Sequence, residues 1–182
     1  MDALSFLVNT LFDLYLMVVI IRIWLQLARA DFYNPFSQFV VKATHPVVGP
    51  MRRFLPPLGG LDTASVVLAL AVVVIKFVIL SLMAGAAINL PIILLVALVS
   101  VLKQAGVLLF WMLILRAILS WVSQGHNPIE MVMAQLTEPL VAPIRRIIPP
   151  MGGLDFSVMI FMFGLIFINK LLSQYVPFWA NV

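Results

Sequence analysis

Two stretches of this chain carry residues that could do chemistry, and they carry the same ones. Asn34–Asp62 reads NPFSQFVVKATHPVVGPMRRFLPPLGGLD, and Asn127–Asp155 reads NPIEMVMAQLTEPLVAPIRRIIPPMGGLD. The two align without a gap and are identical at nearly half their positions. Shared are Asn34-Pro35 with Asn127-Pro128, a T-x-P-x-V-x-P run, and the pairs Arg52-Arg53 and Arg145-Arg146. Pro56-Pro57 and Pro149-Pro150 follow, then Gly59-Gly60 and Gly152-Gly153, and last Asp62 and Asp155. Guanidinium groups grip phosphate bidentately, and each cation near an anionic leaflet contributes about 1 kcal/mol. The four arginines are therefore candidates for binding anionic lipid headgroups or an acidic partner. Topology control alone would leave the duplicated Pro-Pro, Gly-Gly and Asp unexplained.

A second set of charges lies inside apolar stretches, where ionisable residues point to function. These are Asp13, Arg22, Lys76, Arg116 and Lys170. At a rise of 1.5 Å per residue, Asp13, Lys76 and Lys170 each lie about 21–22 Å from the linker end of their helix. A pair between Asp13 and Lys76 or Lys170 would avoid a stranded charge in hydrocarbon; its bland reading is a static clamp on helix register. Arg22 and Arg116 sit nearer the linkers, at near-equivalent places. Snorkelling to lipid phosphates is the favoured reading, and pairing with Asp62 or Asp155 the alternative.

Enzymatic signals are missing from the sequence. It has no P-loop, no G-x-S-x-G and no H-E-x-x-H, so an enzyme is not expected. The chain has no cysteine, which excludes disulfides, thiolate metal sites and a Cys nucleophile. His45 and His126 are the only histidines. They read as solvated linker residues rather than axial haem ligands, and neither a metal nor a cofactor is expected.

Composition says what must position these residues. The chain is 64% hydrophobic and 10% charged, with mean hydropathy +1.16. Soluble domains carry roughly 25% charge, so an integral membrane protein is expected. The net charge of +4 then reports orientation rather than nucleic-acid binding. No positive n-region precedes the first apolar stretch, so it is expected to remain as a span rather than a cleaved leader.

Spans are expected over Leu4–Leu27, Thr63–Ala86 and Phe156–Ser173, with Tyr175, Phe178 and Trp179 as an aromatic anchor. The stretch Thr63–Val122 could hold two spans or three. The best break is Ala87–Pro91, which favours two, with Ile92–Leu102 as an extension or a membrane-dipping segment. Asn34-Pro35 and Asn127-Pro128 predict helix starts. In the first linker Phe36, Phe39, Val40 and Ala43 form the expected apolar face. In the second, Ile129, Val132, Met133 and Leu136 do. Pro46 and Pro139 are expected to stop these interfacial helices, and Pro50 and Pro143 to restart a brief turn. Asp62 and Asp155 would favour the starts of the following spans.

The result is an all-α membrane protein of about four transmembrane helices. It is a tandem helix–amphipathic linker–helix repeat with halves 1–89 and 90–182. Arg29, Lys42, Arg52, Arg53, Arg145 and Arg146 lie in or beside the linkers, and Lys103 is the one basic residue expected clearly at the opposite interface. That asymmetry places both linkers in the cytoplasm. A fifth span would instead put them on opposite sides, as inverted repeats.

The pattern N-P…[HE]-P…P-x-R-R…P-P-x-G-G-x-D, duplicated between apolar spans, resembles the YggT (YlmG) family across essentially the whole chain. The resemblance implies a small polytopic protein of the bacterial inner membrane or the chloroplast. The associations it brings are osmotic-stress tolerance with potassium uptake, neighbourhood with cell-division genes, and haem attachment to a plastid b-type cytochrome. It supplies no catalytic residues. His45 standing where the second copy has Glu138 argues against an obligate catalytic base there. The function expected is a non-enzymatic scaffold or assembly factor, plausible in osmotic adaptation. A channel or transporter component for potassium or other ions is the alternative. The expected partners are the bilayer, with its anionic headgroups, and a membrane protein.

Overall fold

The computed structural model describes residues 2–122, 127–148 and 155–182. Six helices account for nearly all of it: α1 (Ala3–Leu27), α2 (Pro35–Met51), α3 (Thr63–Met83), α4 (Leu90–Val122), α5 (Pro128–Ile147) and α6 (Phe156–Tyr175), followed by a 3-10 turn at Trp179–Asn181. Helices suit this sequence because a bilayer offers backbone groups no water to bond, so each span must satisfy its own. Four of the six, α1, α3, α4 and α6, are long and apolar enough to cross a membrane. The protein is an all-α membrane protein.

α1 packs on α3 and α4, and these three enclose most of the core. Leu16, Val19, Leu25, Ala69, Val73 and Met112 lie there, almost wholly buried. A smaller cluster of Leu109, Leu113, Val141 and Val158 joins α4, α5 and α6. α6 turns most of its surface outward, with Phe163 and Phe167 more than 60% exposed, as a lipid-facing helix should.

The stretch between the linkers holds two helices. α3 ends at Met83, earlier than expected, because Gly85 takes a left-handed φ of 63°. Ala86 N–H then donates back to Ser81 O, closing a glycine-type helix end. α4 then runs 33 residues without a break, about 50 Å against a ~30 Å hydrocarbon core. Ile92–Leu102 is thus the first part of one continuous helix.

The linker helices differ from expectation at their prolines. Asn34 and Asn127 do cap them, accepting from Phe36 N–H and Ile129 N–H (both 2.9 Å), with proline at the first position. Pro46 and Pro139 do not stop them, and Pro50 and Pro143 lie inside the same continuous helices. Each internal proline forfeits one backbone bond. Packing compensates, since Val48 and Val141, beyond the first proline of each helix, are completely buried.

The face of α2 is also rotated from the expected one. Ser37, Val40, Thr44 and Val48 point inward, whereas Phe39 is 62% exposed and Ala43 is exposed. In α5 the expected Val132, Met133 and Leu136 are buried, and only Ile129 faces out.

The two linkers lie side by side. Asn34 donates from Nδ2 to Pro128 O (2.8 Å), and Gln135 Oε1 accepts from Asp31 N–H (3.0 Å). Both therefore occupy the same end of the helix bundle. After α2, Gly59 and Gly60 adopt φ of 59° and 87°, and Leu58 and Leu61 exchange two backbone bonds around them. Only glycine takes two such residues without strain. The corresponding Pro149, Pro150, Gly152 and Gly153 lie outside the described residues, as does His126.

Candidate functional site

Each linker closes over an arginine that rises from the preceding span. In the first half Arg22, only 3% exposed, donates from Nε to Ser65 Oγ (3.1 Å) and from Nη1 to Thr44 Oγ1 (2.7 Å). Its Nε also lies 3.7 Å from Asp62 Oδ2. Asp62 receives a fork from Arg52, Nε to Oδ1 at 3.2 Å and Nη2 to Oδ2 at 2.7 Å. Ser65 Oγ (2.6 Å) and Gln26 Nε2 (3.3 Å) donate to Oδ2 as well. Burial would raise the Asp62 pKa, but the bonds from Arg52 and Ser65 outweigh it and hold the group down at about 2.

The second half repeats the arginine–threonine contact and the arginine–aspartate pair, and differs in bringing a second carboxylate, Glu138, between the two arginines. Arg116 donates from Nη1 to Thr137 Oγ1 (2.6 Å), as Arg22 does to Thr44. Its Nη2 donates to Glu138 Oε2 at 2.7 Å. Arg145 donates from Nη1 to Glu138 Oε1 and from Nη2 to Asp155 Oδ2. Asp155 also accepts from the Ser157 hydroxyl and backbone N–H, capping α6. Burial opposes its ionisation, while the bonds from Ser157 and Arg145 lower its pKa.

These contacts correct several expectations. Arg22 and Arg116 do not snorkel, because hydroxyls and carboxylates of the linker meet them inside the protein. Arg116 takes Glu138 rather than Asp155. Arg52 and Arg145, expected at headgroups, are tied to Asp62 and Asp155. Asp62 makes no side-chain cap to α3, its oxygens being taken by side chains. Arg53 and Arg146, by contrast, are exposed and have no ion-pair partner among the described residues. Thr44, Thr137 and Glu138 were missed as network members, although the duplicated T-x-P was a visible signal.

The charge layer at the far level is formed in part. Lys76 Nζ lies 2.7 Å from Asp13 Oδ1. Lys170 does not join; it is exposed, without a partner among the described residues. Lys103, expected at the opposite interface, takes its place. With Asp13, Lys76, Ser100 and Gln104 it lines a cavity of about 180 Å³, and it donates to main-chain oxygens of Trp179 and Val182. Where α1 and α3 are clamped, α4 and α6 are parted by a groove of about 390 Å³ lined by Gly106, Phe110, Trp111, Asn169 and Trp179.

The two arginine–threonine–carboxylate networks, built on the motif the sequence duplicates, are the setting for the comparisons with known proteins. The profile of the CCB3/YggT family matches residues 1–83 and 95–176. The chain belongs to the CCB3/YggT family. It is 58% identical to an uncharacterized protein "in proC 3'region" of Vibrio alginolyticus, over the full length of both. It is 47% identical to the uncharacterized protein YggT of Escherichia coli K12, over all of this chain and 95% of the relative. An uncharacterized protein of Haemophilus influenzae is 39% identical over 90% of this chain and 87% of its own. No solved structure matches. The motif residues thus sit in a membrane-protein family whose matched members carry no functional name.

Proposed function

We propose that this family member is a non-enzymatic scaffold or assembly factor of the bacterial inner membrane, serving adaptation to osmotic stress. Its two linkers face the cytoplasm and engage anionic headgroups or an acidic partner there. The observation that carries this reading is the division of labour within each Arg-Arg pair. The first arginine is tied into the fold, and the second is held out beside an apolar neighbour. Phe54 and Ile147, which follow Arg53 and Arg146, are 84% and 81% exposed. An exposed apolar side chain next to a guanidinium suits the bilayer interface, where one sits among acyl chains and the other at phosphates. The linkers lie side by side, so the two pairs can act on one surface.

The test replaces Arg53 and Arg146 by Gln, singly and together. Removing both should weaken retention of anionic lipid or crosslinking to a partner by about thirtyfold, at roughly 1 kcal/mol per cation. It should also slow growth after osmotic upshift while insertion and thermal stability hold. A double variant that behaves as wild type in all these assays would refute the reading.

A channel or transporter component in potassium or ion homeostasis is the second reading. It draws support from the Asp13–Lys76 pair and Lys103 around one cavity. Potassium flux through the purified protein in liposomes would favour it.

A further inference from the structure

We propose that the first linker contains a binding site for a phosphate-type anion, formed by Nη2 of Arg22 and Nη1 of Arg52. The site lies where the second linker seats the carboxylate of Glu138. The inference deepens the headgroup-binding reading of the linkers and rests on different residues.

The argument comes from matching the two networks atom by atom. Arg116 and Arg22 both give Nη1 to a threonine hydroxyl at the same motif position. In the second network the nitrogens left over, Nη2 of Arg116 and Nη1 of Arg145, hold the two oxygens of Glu138. The first network has His45 at that position, and the corresponding nitrogens have no acceptor among the described residues. All of Arg22's bonds use Nε and Nη1, and both of Arg52's use Nε and Nη2.

Charge tells the same story. The second network sets two guanidinium groups against two carboxylates, Glu138 and Asp155. The first sets two against one, with both arginines converging on Oδ2 of Asp62. Arg22 is 3% exposed and Asp62 4%, so the excess positive charge lies partly desolvated, which favours taking up an anion. Access exists, because the Arg52 side chain is 40% exposed and His45 is exposed. The His45 ring lies back against Gly49, with ring atoms 3.4 Å from where a β-carbon would stand. Two guanidinium nitrogens from separate arginines suit a phosphate monoester or diester oxygen pair. Either a lipid headgroup or free phosphate carries that chemistry.

The experiment uses the full chain, purified in a phosphate-free maltoside detergent, with thermal unfolding as the readout. One arm adds inorganic phosphate, the other phosphatidylglycerol in mixed micelles, each against chloride at equal ionic strength. Wild type should be stabilised in at least one arm. A response to lipid alone identifies a headgroup, and a response to inorganic phosphate identifies free phosphate. His45→Glu supplies the missing carboxylate from within. It should raise the baseline midpoint and weaken the anion response at least about tenfold in apparent affinity. Glu138→His should do the converse, lowering the baseline and adding a second anion-responsive site. Should His45→Glu fail to fold, Glu138→His still decides, since a variant without added response contradicts the site. Silence of wild type in both arms, or a His45→Glu protein responding as wild type, overturns the proposal. His45→Glu should weaken the response equally with Arg53 and Arg146 present or replaced by Gln, so a failure of the reading at those two arginines would be seen separately.

Discussion

At the residue scale the duplicated motif ties the arginines of α1 and α4 to hydroxyls and carboxylates of the linkers. Asp62 accepts from three side chains beyond its contact with Arg22, and its pKa lies near 2 rather than 3.8. A carboxylate depressed on folding adds stability above its unfolded pKa and loses it as pH falls through the folded value. Asp62 should therefore contribute about 2 kcal/mol at neutral pH, lost between about pH 3.8 and 2. Asp62→Asn should shrink the acid-side fall in unfolding midpoint, with Asp155 supplying what remains. An unchanged acid profile would contradict this. For the Asp13–Lys76 pair, Asp13→Asn should cost about 1–3 kcal/mol, at the lower end of a buried pair because Asp13 keeps 42% of its side chain open. Adding Lys76→Met should restore part of the loss. Strictly additive losses would exclude coupling.

At the scale of elements, the turns are set by glycine and the linker helices by packing. Gly60, at a φ of 87° with open space around it, should resist Ala by about 1–2 kcal/mol from backbone strain. Gly106, in the interior of α4 with equal space, should gain up to about 1 kcal/mol on the same change. Thermal unfolding of the two variants in detergent checks the opposite signs. Much of this level was legible in the sequence. The Asn-Pro caps, the four spans and the Gly-Gly turn follow from local chemistry, which acts within a few residues. The continuity of α2 and α5 through Pro46, Pro50, Pro139 and Pro143 was not legible, because it depends on tertiary burial of Val48 and Val141. The inward face of α2 was misread for a related reason. Ser37 and Thr44 are polar yet buried, one packed and the other bonded to Arg22, while Phe39 faces out of the bundle. Among the intramembrane charges, depth along the helices offered Asp13 either Lys76 or Lys170, and the structure pairs it with Lys76. The substitution of Lys103 for Lys170 did not follow from depth, since depth does not fix the rotation of a helix.

At the scale of the molecule, the linkers touch and so share one end of the bundle, leaving the Ala84–Asn89 turn at the other. With Arg53 and Arg146 exposed at the linker end, positive charge concentrates there, and we propose that this end faces the cytoplasm. Everything proposed for the linkers depends on this arrangement. The cysteine-free chain permits a direct measurement through single cysteines at exposed positions. Gln38→Cys and Met131→Cys mark the same turn of α2 and α5, and Ala87→Cys marks the opposite turn. In intact cells an impermeant maleimide should label Ala87→Cys alone, and all three sites should react once the membrane is opened. Opposite behaviour of Gln38→Cys and Met131→Cys, or labelling of both with Ala87→Cys protected, would contradict the account.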